Sequence, residues 1–122
     1  MTAEEKIDEI KNKNILVTGG CGFIGSEVVK QLSKLGANIT IIDNLSSGKE
    51  DYVKGLPNTE LIIAELSDLE QLKKSVKNKD YVIHLAALPF IPDSYYYPMK
   101  FFDVNVNATI GLVLESIKEK KD

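Results

Sequence analysis

Three stretches of this 122-residue chain carry residue types whose spacing could do chemistry. In "VTGGCGFIGSEVVKQL", Gly19, Gly22 and Gly25 recur at G-x-x-G-x-x-G spacing. Between a strand and a helix such a turn can bind phosphate. Gly19 makes the tight turn, Gly22 lets an anion approach the backbone, and Gly25 lets the helix pack closely on the strand. The helix start adds free N–H groups and a partial positive charge. Phe23 and Ile24 are expected to seal the turn and to offer backbone N–H groups more than side chains. The same glycines would also suit a strand-to-helix turn with no ligand. In "SYYYPMK", Tyr96 and Lys100 stand four apart, which on a helix puts both on one face. A tyrosine, with a reference pKa of about 10, needs such a cation to work as a base near neutral pH. Pro98 lies between them, however, and proline is tolerated only in a helix's first turn.

The third stretch is "NITIIDNLSSG". Asp43 ends an apolar run eighteen residues beyond Gly25. At about that distance an acid can accept both hydroxyls of an adenosine ribose. Its charge would repel a 2′-phosphate, which favours NAD over NADP. Asp43 taken alone could equally cap a turn; the glycine turn on the preceding unit favours the cofactor. Asn44, Ser46, Ser47 and Gly48 follow as a small polar loop able to hydrogen-bond the ribose and phosphate edge. His84, the sole histidine, would be a tempting base. Beside an apolar strand it reads instead as a packed, hydrogen-bonded residue. Cys21, inside the turn, reads as packing. His84, Asp93 and Ser94 make no convincing triad, because nothing marks a nucleophile elbow. No second His, Cys or carboxylate stands at metal-ligand spacing, so no metal is expected.

The elements that must position these residues alternate along the chain. Residues 3–11 can form a short amphipathic helix with Ile7 and Ile10 on one side and Thr2/Glu5 as a capping box. Strands are expected at 14–19, 38–43, 60–65 and 80–86, each a near-continuous apolar run. Helices are expected at 23–35, closed by Gly36, and at 68–77, capped by Ser67 and Glu70. One helical turn is expected near 50–54 and a long helix at about 95–119. Such alternation implies an α/β fold: a Rossmann-type doubly wound parallel sheet, partial, with about four strands and flanking helices. Residues 1–13 read as an N-terminal helical extension, and 14–122 as the NAD(P)-binding domain.

Composition narrows the partners. A net charge of −3 and a pI of about 5.2 weigh against nucleic acid or an anionic membrane surface. No apolar run reaches the roughly 18 residues of a membrane span. "MTAEEKIDEIKNK" lacks the apolar core of a secretion signal. One cysteine allows no internal disulfide, which fits a reducing, cytoplasmic setting.

"TGGCGFIG", "DNLSSG", "AELSD", "HLAAL" and "SYYYPMKFFDVNVNAT", in that order, resemble the extended short-chain dehydrogenase/reductases, the NAD-dependent sugar-nucleotide epimerases and dehydratases. The resemblance covers about residues 14–119, and "DNLSSG" and "HLAALPFIP" are most similar to UDP-glucose and UDP-N-acetylglucosamine 4-epimerases. It implies that Gly19, Gly22 and Gly25 form the diphosphate turn and Asp43 the ribose acid. Glu65 stands where the family usually has an Asp that meets the adenine amino group, and Leu66 would wall the adenine. Leu85, Ala86 and Ala87 would line the dinucleotide cleft. Asn105 matches the helix asparagine near the nicotinamide, and Ala108 replaces a glycine common before the following threonine.

The resemblance also assigns Pro98 to the segment after the fourth strand. The family's working Tyr-x-x-x-Lys pair comes later, after a fifth strand. Tyr96 and Lys100 are therefore not expected to be catalytic, and Tyr95, Tyr96 and Tyr97 read as rim or surface residues. The chain would then be the N-terminal, NAD-binding part of a longer UDP-sugar 4-epimerase, inactive alone, with a nucleotide-sugar substrate in the intact enzyme. A homodimer through the long C-terminal helix is implied as well, since that helix is apolar on more than one face. Two alternatives stand beside this: a non-catalytic dinucleotide-binding or redox-sensing module, and a dehydratase or reductase of the same family.

Overall fold

The computed structural model describes residues 2–87 and 95–119. Helix α1 (Ala3–Asp8) leads into strand β1 (Asn14–Thr18), helix α2 (Phe23–Lys34) and strand β2 (Asn38–Asp43). A short 3-10 turn (Glu50–Tyr52) precedes β3 (Thr59–Ile63), α3 (Leu69–Val76) and β4 (Tyr81–His84). A helical rod follows: α4 (Pro98–Phe102), a π-helical turn (Asp103–Asn107) and α5 (Ala108–Glu119). The four strands are all parallel, in the order β3-β2-β1-β4. The chain therefore forms a partial Rossmann-type sheet. Between β1 and β4 the strand order reverses, and in open sheets of this kind ligands bind at the carboxyl ends beside that point.

Side chains alternate across the sheet, so each strand feeds two cores. Ile15, Val17, Ile39 and Ile41 pack on one face with Val29 and Leu32 of α2. Leu16 and Ile42 point to the other face and meet Leu66, Leu72, Val76, Ala108 and Leu112. Apolar burial on both faces explains why the strands read as continuous apolar runs.

The ends of the elements show where local signals hold and where they give way. Thr2 and Glu5 make the expected reciprocal cap, with Glu5 N–H donating to Thr2 Oγ1 at 3.1 Å and Thr2 N–H to Glu5 Oε2 at 3.0 Å. Ile10 packs on the first core; the side chain of Ile7 lies outside the described residues. Gly36 closes α2 at φ +84°, a conformation that suits glycine. At α3 the cap is Asp68 rather than Ser67. The backbone of Asp68 is extended and its carboxylate accepts from Gln71 N–H at 3.3 Å. Strands β1, β3 and β4 stop before the expected 19, 65 and 86, because Gly19, Glu65 and Ala86 leave the ladder to shape a cleft. The expected helix over 95–119 is not uniform: Tyr97 has non-helical dihedrals, and the π turn interrupts the rod. Residues 88–94, with Asp93 and Ser94, lie outside the described residues, as do residues 120–122.

Leu16 is fully buried at the centre of the sheet. Leu16→Ala should lower unfolding stability by about 2–5 kcal/mol, from lost burial and the cavity left behind. A urea titration in which the midpoint hardly moves would contradict this two-sided packing.

Candidate functional site: a cleft at the strand ends

The glycine turn is built by contacts that exclude side chains. Gly19 takes φ +72°, and a Cβ there would stand 2.8 Å from the Ala86 backbone nitrogen. The end of β4 thus lies directly on the turn. A Cβ on Gly25 would collide with the Gly19 carbonyl oxygen. Gly25 consequently packs the helix onto the turn itself. At Gly22 a Cβ would meet only the Gly19 carbonyl, at 3.4 Å, so the space over Gly22 is open. Gly22 caps α2 without a side-chain bond. The first amides of α2 therefore face outward, as helix starts leave them.

Asp43 braces this turn from the end of β2. Its Oδ2 accepts from Cys21 N–H at 3.0 Å, and its Oδ1 accepts from Leu45 N–H at 2.8 Å. Each carboxylate oxygen has a second lone pair, so the group can still accept two more bonds. Asn44 ties the adjoining loop: its Oδ1 accepts from Ser46 N–H at 2.9 Å, and its Nδ2 donates to Glu65 Oε2 at 3.0 Å. The Cys21 thiol is buried behind the turn. Burial pushes its pKa up to about 11, with the Asp43 and Glu50 carboxylates adding repulsion. It is a packed, protonated thiol.

These elements enclose a cleft at the carboxyl ends of all four strands. Gly19, Gly22, Asp43, Asn44, Ser46, Ser47, Glu65, Leu66, Leu85, Ala86 and Ala87 line it. Ile42, Ala64 and Val104 line it too and were not anticipated. Ile42 and Ala64 each precede an acid that was expected there, and Val104 precedes Asn105, so adjacency was their only signal. Five expected residues do not line it. Phe23 and Ile24 do not seal the turn: they are 89% and 68% exposed, because the first turn of α2 projects from the sheet. Gly25 lies behind the turn. Gly48 packs on Cys21, where a Cβ would stand 2.6 Å from the carbonyl oxygen. Asn105 sits in the π turn beside Val104.

Tyr96 and Lys100 are not brought together as a helical pair. Pro98 starts α4, Tyr97 breaks the helix ahead of it, and both side chains are exposed. Among the described residues no cluster of His, Cys, Asp or Glu could hold a metal, and no helix is long and apolar enough to cross a membrane. His84 lies behind the cleft floor, with Thr18 Oγ1 2.5 Å from Nδ1 and Thr109 Oγ1 2.9 Å from Nε2. Burial holds its pKa below the usual 6.5.

The sheet order and the glycine turn now have counterparts among known proteins. The model of the NAD dependent epimerase/dehydratase family matches residues 15–121. The chain belongs to that family. A UDP-N-acetyl-alpha-D-glucosaminuronate decarboxylase of Bacillus cytotoxicus is 33% identical over 110 residues, 89% of this chain and 34% of that protein. A UDP-glucose 4-epimerase of Neisseria meningitidis is 38% identical over 113 residues, 84% of this chain and 32% of that protein. The solved UDP-N-acetylglucosamine 4-epimerase of Methanobrevibacter ruminantium superposes with a TM-score of 0.83 at 41% identity, covering 89% of this chain and 35% of that one. This epimerase/dehydratase family member spans about a third of the length of these relatives.

A neutral His84 inside a family member of this kind has a pH signature. Because its folded pKa is lowered, the unfolded chain binds a proton more readily than the folded chain once pH drops below 6.5. The contribution is flat above 6.5 and is lost as pH falls through the folded value. Melting curves from neutral pH to about 5, before most carboxylates titrate, should show wild type weakening toward acid. His84→Gln should lack that slope. A wild-type profile flat across this window would contradict the burial of the ring.

Proposed function

We propose that this chain is the NAD-binding part of a nucleotide-sugar 4-epimerase. The observation that carries it is the Asp43 carboxylate, held at the cleft by two backbone amides with two acceptor sites to spare. An adenosine ribose diol would satisfy both sites, and a 2′-phosphate would be repelled. The residues fit the rest of a dinucleotide. Open space above Gly22 and the outward amides of α2 suit a pyrophosphate. Ala64, Leu66 and the free oxygen of Glu65 suit an adenine and its amino group. Small side chains at Ala86 and Ala87 leave room along the floor for the nicotinamide end.

When bound, NAD accepts a hydride from the sugar and returns it. This chain's residues bind and orient the cofactor. Tyr96 and Lys100 do not supply the proton-transferring base, so that pair belongs to another part of the whole enzyme. Alone, the 122 residues are expected to bind NAD without epimerising a sugar. The epimerase assignment is supported by the 4-epimerase relatives; the decarboxylase relative carries the same segment, so the cleft speaks for the cofactor rather than for one family reaction. Residues 14–122 would form the cofactor domain and 1–13 an extension to it. A cytoplasmic, reducing setting is supported by the single buried thiol.

We also propose a homodimer through the long C-terminal helix. Phe102, Val106, Ile110, Val113 and Ile117 are exposed along the rod, an apolar face that water alone covers poorly. Sedimentation at concentrations on the order of tens of micromolar, where weak interfaces of this kind associate, should show self-association. A monomer there would count against it.

Calorimetric titration with NAD and with NADP tests the cofactor assignment. NAD should bind the more tightly. Asp43→Asn should weaken NAD by about tenfold or more and narrow the NAD/NADP ratio, since bonds to a charged acceptor are lost. An unchanged ratio would remove Asp43 from the ribose site.

A further inference from the structure

One direction of the hydrogen bonds around His84 satisfies every group, and they join the floor of the cleft to the π turn. The Ala86 N–H donates to Thr18 Oγ1 at 3.2 Å, and the Leu85 N–H is shared between that oxygen and the Thr18 carbonyl, both at 3.0 Å. That hydroxyl's own proton is then left for His84 Nδ1, 2.5 Å away. With Nδ1 accepting, the neutral ring carries its proton on Nε2 and donates it to Thr109 Oγ1 at 2.9 Å. Thr109 in turn donates to the Asn105 carbonyl oxygen at 3.0 Å. Reversing the chain of bonds would turn the Thr109 hydroxyl proton to Nε2 and take it from the Asn105 carbonyl.

The end of this chain of bonds is a distorted piece of helix. Across the π turn, Ala108 N–H bonds to the Asp103 carbonyl five residues back, instead of the usual four. Such a turn is wider than an α-helical one. The Thr109 hydroxyl, four residues on, bonds the Asn105 carbonyl within it, and the His84 ring reaches that hydroxyl from β4. Val104 of the same turn lines the cleft together with Leu85 and Ala86. On its other side the ring faces an apolar groove of about 360 Å³ lined by Val82, Leu112, Val113, Ser116 and Ile117. Among the described residues no charged side chain lines that groove.

We infer that His84 is a positioning residue of the dinucleotide cleft: through Thr18 and Thr109 it locks the π turn bearing Val104 and Asn105 to the backbone floor at Leu85 and Ala86. It touches no reacting atom. The inference rests on the proposed dinucleotide site and adds that the cleft's width is set from behind, by one neutral imidazole.

Two measurements test it on the full chain. As the sole histidine, His84 gives unambiguous ring signals in a nitrogen-15 spectrum. They should show a protonated Nε2 and a bare Nδ1; a proton on Nδ1 overturns the directed chain without any variant. Calorimetry with NAD then compares wild type, Thr109→Val and Thr109→Ser. Thr109→Val keeps the shape and removes the hydroxyl, and should weaken NAD about tenfold, the scale of one lost buried hydrogen bond and its unsatisfied partner. Thr109→Ser restores the hydroxyl and should return affinity to near wild type. Equal NAD binding by wild type and Thr109→Val overturns this inference alone. A loss in Thr109→Val that Thr109→Ser does not recover also overturns it. No NAD binding by wild type overturns the dinucleotide site and this inference with it.

Discussion

The carboxylate of Asp43 holds two backbone segments at once, the glycine turn through Cys21 N–H and the loop after β2 through Leu45 N–H. It adds a side-chain tie to the backbone bonds from Gly19 N–H to the Ile42 carbonyl and from Lys49 N–H to the Cys21 carbonyl, and it gives the loop its Asx-type start. The charge sits where a carboxylate can be satisfied by amides and still accept more. The proposed ribose contact would therefore use lone pairs that the fold leaves over. Gly19 and Gly25 complete the arrangement by letting backbone lie on backbone, so the turn is rigid before any ligand arrives.

The parallel sheet fixes where that turn can act. Its two central strands, β1 and β2, are covered on both faces, and their ends open on the cleft. The order β3-β2-β1-β4 brings the carboxyl end of every strand to one edge of the molecule. Leu85 N–H still reaches the Thr18 carbonyl, and the Ala86 amide leaves the ladder for the Thr18 hydroxyl. The cleft is thus made of groups that would otherwise have extended the sheet. Beyond β3 the Glu65 carboxylate accepts from the Asn44 side chain and so closes the loop beside the cleft.

Much of this was legible in residue order. The four strands, the helix after the glycine turn, the closing glycine at 36 and the acid at 43 follow from local preferences and fixed spacings. Hydrophobic runs mark strands buried on both faces whatever the rest of the chain does. A glycine at φ above zero, or one touched by backbone, leaves a gap in the pattern that no other residue fills. The Thr2/Glu5 cap is equally local, closing within three residues.

Contacts between distant residues were not legible, because they depend on how finished elements lie against each other. Gly48 reads as a loop glycine, yet it is needed where the chain crosses the Cys21 carbonyl. Phe23 and Ile24 read as a seal, yet the angle at which α2 leaves the turn turns them to water. The strand ends read as strand, yet Thr18 draws the backbone of β4 aside. "DVNVNAT" supplies Thr109, whose hydroxyl bonds the Asn105 carbonyl four residues back, but the imidazole that meets that hydroxyl comes from β4, across the fold. Residue order thus decided which elements form and which acid ends the second strand, through forces that act within a few positions. Tertiary packing decided the shape of the cleft, through hydrogen bonds whose two ends meet only after the sheet and its helices have assembled.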